Sequence, residues 1–104
     1  MAQRAIREIL IDDQGHLLVR PRTPEVDYEL VYRDASGIRW ERTLQGFVAY
    51  QPDRWEHAML FQQIVMAVRN EYGDCLLVSN ETCWTNVPDE IRKTISALPP
   101  IRPL

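Results

Sequence analysis

Four side chains in this sequence are of types that could hold a metal or act as a catalytic thiol and base: His16, His57, Cys75 and Cys83. A zinc site needs three or four such ligands at workable spacing. The chain has no Cys-x-x-Cys and no His-x-x-x-His, so no metal is expected. A cysteine nucleophile needs a base beside it. Cys83 lies in a polar stretch next to Trp84, and nothing in the sequence places His57 against it; a small Cys83/His57 enzyme stays as an alternative, with Cys75 read as a core residue. A phosphate cradle needs clustered glycines ahead of a helix, but the four glycines stand apart at positions 15, 37, 46 and 73. Asp12 and Asp13 lack the ligand pattern of a calcium loop and read as turn residues. No catalytic residue and no cofactor is assigned, and enzymatic activity is not the expectation.

The aromatic side chains are the richer signal. They make up 9% of the chain, among them three tryptophans. Tryptophan and tyrosine join a large apolar area to one polar tip, so they serve cores, interfaces and ligand pockets alike. Trp55 falls in the first turn of an expected helix and Trp84 in a loop. Together with Trp40 they are the candidate ligand-binding residues, lining an aromatic pocket.

These residues must be held by a small number of elements. The stretch from Asp53 to Gly73 reads as one long helix. Pro52 cannot continue a strand ladder, Asp53 and Glu56 form an Asp-x-x-Glu capping box, and Gly73 suits a left-handed C-terminal cap. Phe61, Val65, Val68 and Tyr72 make its apolar stripe. Trp55, Ala58, Met59 and Met66 widen it on one side; Leu60, Ile64 and Ala67 widen it on the other. That is more apolar surface than one sheet covers, so a second cover is expected: the C-terminal segment, a ligand or another copy of the chain. Leu60, Ile64 and Ala67 are the expected oligomer-interface residues.

Before the helix, the sequence reads as short strands joined by tight turns. Strands are expected over 6–11, 16–20, 28–33, 38–43 and 47–50, with turns at Asp12–Gly15, Asp34–Gly37 and Leu44–Gly46. Such a run predicts an antiparallel meander. A further strand over 75–79 and a semi-extended segment carrying Trp84 follow. A short C-terminal helix should begin near Pro88 and end by Leu98, because Pro99 and Pro100 cannot extend it. The expected fold is therefore α+β: an antiparallel sheet of five to six strands packed on one long central helix, plus a short C-terminal helix, in a single domain of 104 residues.

The bulk numbers narrow the partners. The formal charge is −3, from 12 basic and 15 acidic residues, with no like-charged block. A nucleic-acid partner would call for a basic face, and a membrane span for about 20 apolar residues in a row; neither is expected. The first residues carry Arg4, Arg7 and Glu8 and do not read as a signal peptide. Two cysteines make no disulfide framework, and a reducing cytoplasm is the expected setting.

Several segments resemble one bacterial group. They are Tyr32-Arg33-Asp34-Ala35-Ser36-Gly37-Ile38-Arg39-Trp40, Pro52-x-x-Trp55, Phe61-x-x-Ile64-Val65-x-x-Val68, Glu71-Tyr72-Gly73 and Thr82-x-Trp84-x-Asn86-Val87-Pro88. In this order and spacing they are similar to the integron cassette proteins, small orphan proteins carried on mobile gene cassettes. The resemblance spans about residues 27–98 and is one of aromatics, turns and caps rather than of a catalytic signature. It implies a compact α+β fold, a tendency to form homo-oligomers and no assigned activity. The departure from the group's pattern is His57-Ala58-Met59-Leu60, which replaces a more aromatic stretch. The combined expectation is a non-enzymatic binding or adaptor protein acting as a homo-oligomer, a dimer first, with a small-molecule binder as the alternative; a small molecule or a protein is the expected further partner.

Overall fold

A computed structural model of the chain describes residues 3–22, 28–34, 37–50 and 57–98. The strands are β1 (Gln3–Ile11), β2 (Leu17–Pro21), β3 (Ile38–Glu41), β4 (Gly46–Ala49), β5 (Cys75–Leu77) and β6 (Cys83–Thr85). The helices are α1 (His57–Tyr72) and α2 (Asp89–Ala97), and a 3-10 helix spans Glu29–Arg33. The fold is α+β, with one long helix and one short C-terminal helix, as the sequence predicts.

The sheet differs from the expected meander in three ways. It is mixed: β1 pairs antiparallel with β2 but parallel with both β5 and β6. Its order is β3-β4-β2-β1-β5, with β6 also on β1, so the N-terminal strand is central and the last two strands share its outer edge. Third, the segment from Tyr28 to Arg33 is not a strand. Its polar–apolar alternation has a period of two, but the side chains the fold buries are Tyr28 and Val31, three apart. Three residues per turn is the 3-10 repeat, and this turn lets both reach the core from one side.

A bulge in β1 explains how two strands share one edge. The pairing of β1 with β2 shifts between Ile6 and Glu8. On the other edge β5 ends opposite Ala5 and β6 begins opposite Glu8. Thr82 fills the step between them: its hydroxyl donates to the Ile6 carbonyl at 2.7 Å and accepts from the Ser79 N–H at 3.0 Å. A buried carbonyl left bare by the bulge is thereby satisfied.

The Asp12–Gly15 turn and the Gly73 cap follow the sequence; the expected Asp34–Gly37 turn runs through residues outside those described. Asp12 accepts from the N–H groups of Gln14 and His16, and Gly15 has φ +85°. Gly73, at φ +75°, ends α1 and donates to the Arg69 carbonyl, the left-handed cap expected there. The β3–β4 connection is different. Gln45 takes the positive φ, and Gly46 is the first residue of β4. A Cβ at Gly46 would lie 2.9 Å from Leu18 Cδ1 and 3.0 Å from the Val19 carbonyl, so close approach to β2, not the turn, requires glycine. The expected N-terminal cap at Asp53, and with it Pro52 and Glu56, lies outside the described residues.

One face of the sheet carries Ile6, Ile9, Leu17, Val19, Phe47 and Ala49, and α1 covers it with Phe61, Ile64, Val65 and Val68. The second cover inferred from the sequence is the chain itself. The 3-10 helix and α2 both pack on α1, the latter through Ile95. Leu60, Ile64 and Ala67 are 2%, 0% and 2% exposed, so the protomer's own core takes the three expected interface residues. Met59 and Met66 face outward, 44% and 41% exposed. At 100° per residue they stand roughly 140–160° round the helix from Phe61, and do not widen its stripe.

Candidate ligand cleft

The 3-10 helix sets up one end of the sheet. By turning once instead of running extended, it buries Tyr28 and Val31 and leaves Leu30 and Tyr32 outside, Tyr32 at 62% exposure. Beside it lies β3, the edge strand. Trp40 of β3 faces the core and is held there by two ring contacts: Tyr28 at 5.3 Å and Phe47 at 4.9 Å, both edge-to-face. Its neighbour Arg39 points the other way, because alternate strand residues take opposite faces. Glu29 opens the 3-10 helix and forms an ion pair with Arg42 of the β3–β4 turn.

Glu29, Tyr32, Arg39 and Trp40 together line a cleft of about 420 Å³. That size falls within the range of small-molecule sites, which join aromatic walls to a few placed polar groups. One tyrosine and one tryptophan supply the walls here; one guanidinium and one carboxylate supply the polar ends.

Behind the cleft sits a buried polar anchor. The Tyr28 hydroxyl donates to Asp74 Oδ2 at 2.9 Å, and Arg4 Nε lies 3.5 Å from the same oxygen. Burial first, and then the hydrogen bond to the Asp74 carboxylate, raise the Tyr28 hydroxyl well above the usual tyrosine range. The Tyr28 ring also meets Tyr72 at 4.9 Å, and the Tyr72 hydroxyl accepts from the Leu30 N–H. These contacts fix the 3-10 helix, and through it Tyr32.

The three tryptophans do not form one pocket among the described residues. Trp55 lies outside those residues. Trp40 is on the β3 edge and Trp84 on β6 at the opposite edge, four strand spacings away, roughly 19 Å at ~4.8 Å each. Each lines a depression of its own. Tyr32, Arg39 and Glu29 are the cleft residues that sequence reasoning missed. The signal that could have found them is the three-residue spacing of Tyr28 and Val31, which turns Tyr32 outward.

His57 and Cys83 are also held apart. The Nε2 of His57 lies 2.8 Å from the Gly15 carbonyl and, as the hydrogen-bond donor, is committed there. His57 lines a hollow with Glu90, Ile91 and Thr94. On β6, Trp84 is the residue packed against the core, so Cys83 and Thr85 point to the opposite face, where Thr85 donates to Glu8. Among the described residues no group of three potential metal ligands clusters.

A family profile for the integron cassette protein Hfx_Cass5 matches residues 4–82. The chain belongs to this family. A solved structure of the integron cassette protein Hfx_Cass5, from the mobile metagenome of the North West Arm sewage outfall, is 31% identical. The match covers 92% of this cassette protein and 94% of that one, with a TM-score of 0.45; the kinship rests on the sequence. No curated protein matches the chain. The family has no assigned activity, so membership leaves the role of the cleft to its own chemistry.

Proposed function

We propose that this cassette protein is a non-enzymatic binding protein for a small, flat, polar molecule held in the Tyr32–Trp40 cleft. The observation that carries the reading is an exposed Tyr32 set beside a Trp40 already locked by its own ring contacts. Trp40, already held by its ring contacts, costs little conformational entropy on binding, and Tyr32 supplies the second, exposed ring. Arg39, which lines the cleft from the open edge of β3, is the contact for an anionic group of the ligand, and the second carboxylate oxygen of Glu29, whose first is paired with Arg42, accepts from a donor. Cys75 and Cys83 are thiols and not a disulfide, which suits a reducing compartment such as the cytoplasm.

Ligand-observed NMR with a library of small aromatic acids and amines tests this. Hits should compete with one another, and Tyr32→Ala should weaken them about 2- to 12-fold, the loss of one aromatic contact of ~0.5–1.5 kcal/mol. Folding should change by less than ~0.5 kcal/mol, because Tyr32 is a surface residue. Hits that bind Tyr32→Ala as well as the unaltered protein would place the site elsewhere.

Self-association, a dimer first, is the second reading. Its support is the outward pair Met59 and Met66, one heptad apart on α1. Sedimentation at micromolar concentration distinguishes a dimer from a lone 12.2 kDa species, which would reject the reading.

A further inference from the structure

We propose that a second depression, between the β5–β6 turn and α2, is a site for a small oxyanion, a carboxylate or a phosphate, with Arg92 as its charged contact. It stands at the opposite edge of the sheet from the Tyr32–Trp40 cleft and does not rest on that reading. The depression has a volume of about 340 Å³, and its lining includes Ser79, Asn80, Thr82, Trp84, Arg92 and Ser96. None of its lining among the described residues is acidic. Among those residues the one charge is positive, and each polar side chain can donate or is already bonded.

Arg92 differs from five other arginines of the described residues. Arg4, Arg20, Arg22, Arg33 and Arg42 each sit within ion-pair distance of a carboxylate. Arg92 has no such partner among the described residues; its guanidinium instead lies over the Trp84 ring, 5.3 Å from the centroid. Stacking uses the face of a guanidinium and leaves its in-plane N–H groups free. Those groups match two oxygens of one anion.

The turn that closes the depression is preset. The Thr82 hydroxyl is spent on the Ile6 carbonyl and the Ser79 N–H, which fixes residues 79–82. The Ser79 Oγ accepts from the Glu81 N–H and keeps its own proton to donate. Glu81, the acidic residue of this turn, pairs with Arg22 and is not part of the lining. Ser96 lies one helical turn after Arg92, so both come from the same face of α2. A compact anion can thus meet Arg92, Ser79 and Ser96 from different sides, with the Trp84 ring behind the guanidinium.

The test uses the 15N-labelled full chain, titrated with inorganic phosphate in one arm and benzoate in another, with chloride at matched ionic strength as the reference. Saturable shifts of the Trp84 indole N–H, the Arg92 Nε–H and the Asn80 amide are expected. Saturation by phosphate alone assigns a phosphate site, and saturation by benzoate alone a carboxylate site. Arg92→Gln should weaken binding at least about tenfold, and Arg92→Lys, which keeps the charge without the planar fork, should also weaken it. Arg33→Gln, whose partner is Glu71 and which is outside the lining, should leave the affinity unchanged. Arg92 is exposed, so each variant should keep the parent melting temperature. Shifts no larger than in chloride, or a saturable response that survives Arg92→Gln in a folded protein, would overturn the proposal.

Discussion

Ile64→Ala should destabilise the isolated protomer by about 3–4 kcal/mol, because it cuts a cavity into a fully buried position. For a domain of this size that corresponds to a loss of at least roughly 12 °C in melting temperature. Met66→Ala on the opposite side of the same helix should cost less than ~0.5 kcal/mol, since its side chain is 41% exposed. The pair of variants separates two meanings of an apolar helix. If Ile64 belongs to the protomer's core, thermal or urea unfolding gives the large loss at every protein concentration. If it sat in an interface between copies, the melting temperature would rise with concentration in the parent and the loss would shrink on dilution. A cost below ~1 kcal/mol for Ile64→Ala would contradict the packing described for α1.

The second large effect is at alkaline pH and comes from Tyr28. Tyrosine ordinarily titrates near 10.0. In the fold, burial and then the hydrogen bond to Asp74 raise Tyr28 above that value. The stabilisation from its neutral hydroxyl is therefore fully present below pH 10.0, where both folded and unfolded chains hold the proton. Above it the unfolded chain releases a proton that the folded chain keeps, so stability falls with rising pH, by ~1.4 kcal/mol per unit. Tyr28→Phe should remove that slope while costing about 1–3 kcal/mol at neutral pH, because Asp74 loses a buried donor. Tyr50 is also raised, by its hydrogen bond to Glu41, but it is 41% exposed and solvent screens its share. Urea unfolding at a series of pH values reads the slope. An unchanged alkaline limb in Tyr28→Phe would show that the buried hydroxyl is not its source.

The local parts of this fold could be read from the chain. The Asp12–Gly15 turn, the Gly73 cap and the Pro88 start of α2 are each dictated by residues within four positions, and all three stand where the sequence places them. What could not be read is long-range. The pairing of β1 with β5 and β6 joins residues separated by most of the chain, and no local pattern reports it. A run of strands read one after the next suggests antiparallel neighbours, whereas α1 carries the chain across the sheet and returns it parallel to β1. The period-two alternation at Tyr28–Arg33 misled for another reason. Six residues are too few to separate a period of two from one of three, and the anchor Asp74 is far off in sequence. Because that turn decides where Tyr32 points, the cleft was hidden with it. Trp40 was visible as a candidate, but its partners were not.

In the proposed function a small ligand lies against Tyr32 and Trp40. Intermolecular NOEs between a library hit and assigned side-chain protons test it without a variant. Contacts from the ligand to the Tyr32 ring and the Trp40 indole are the expected result. Contacts confined to Met59 and Met66 on α1, with none to either ring, would contradict it.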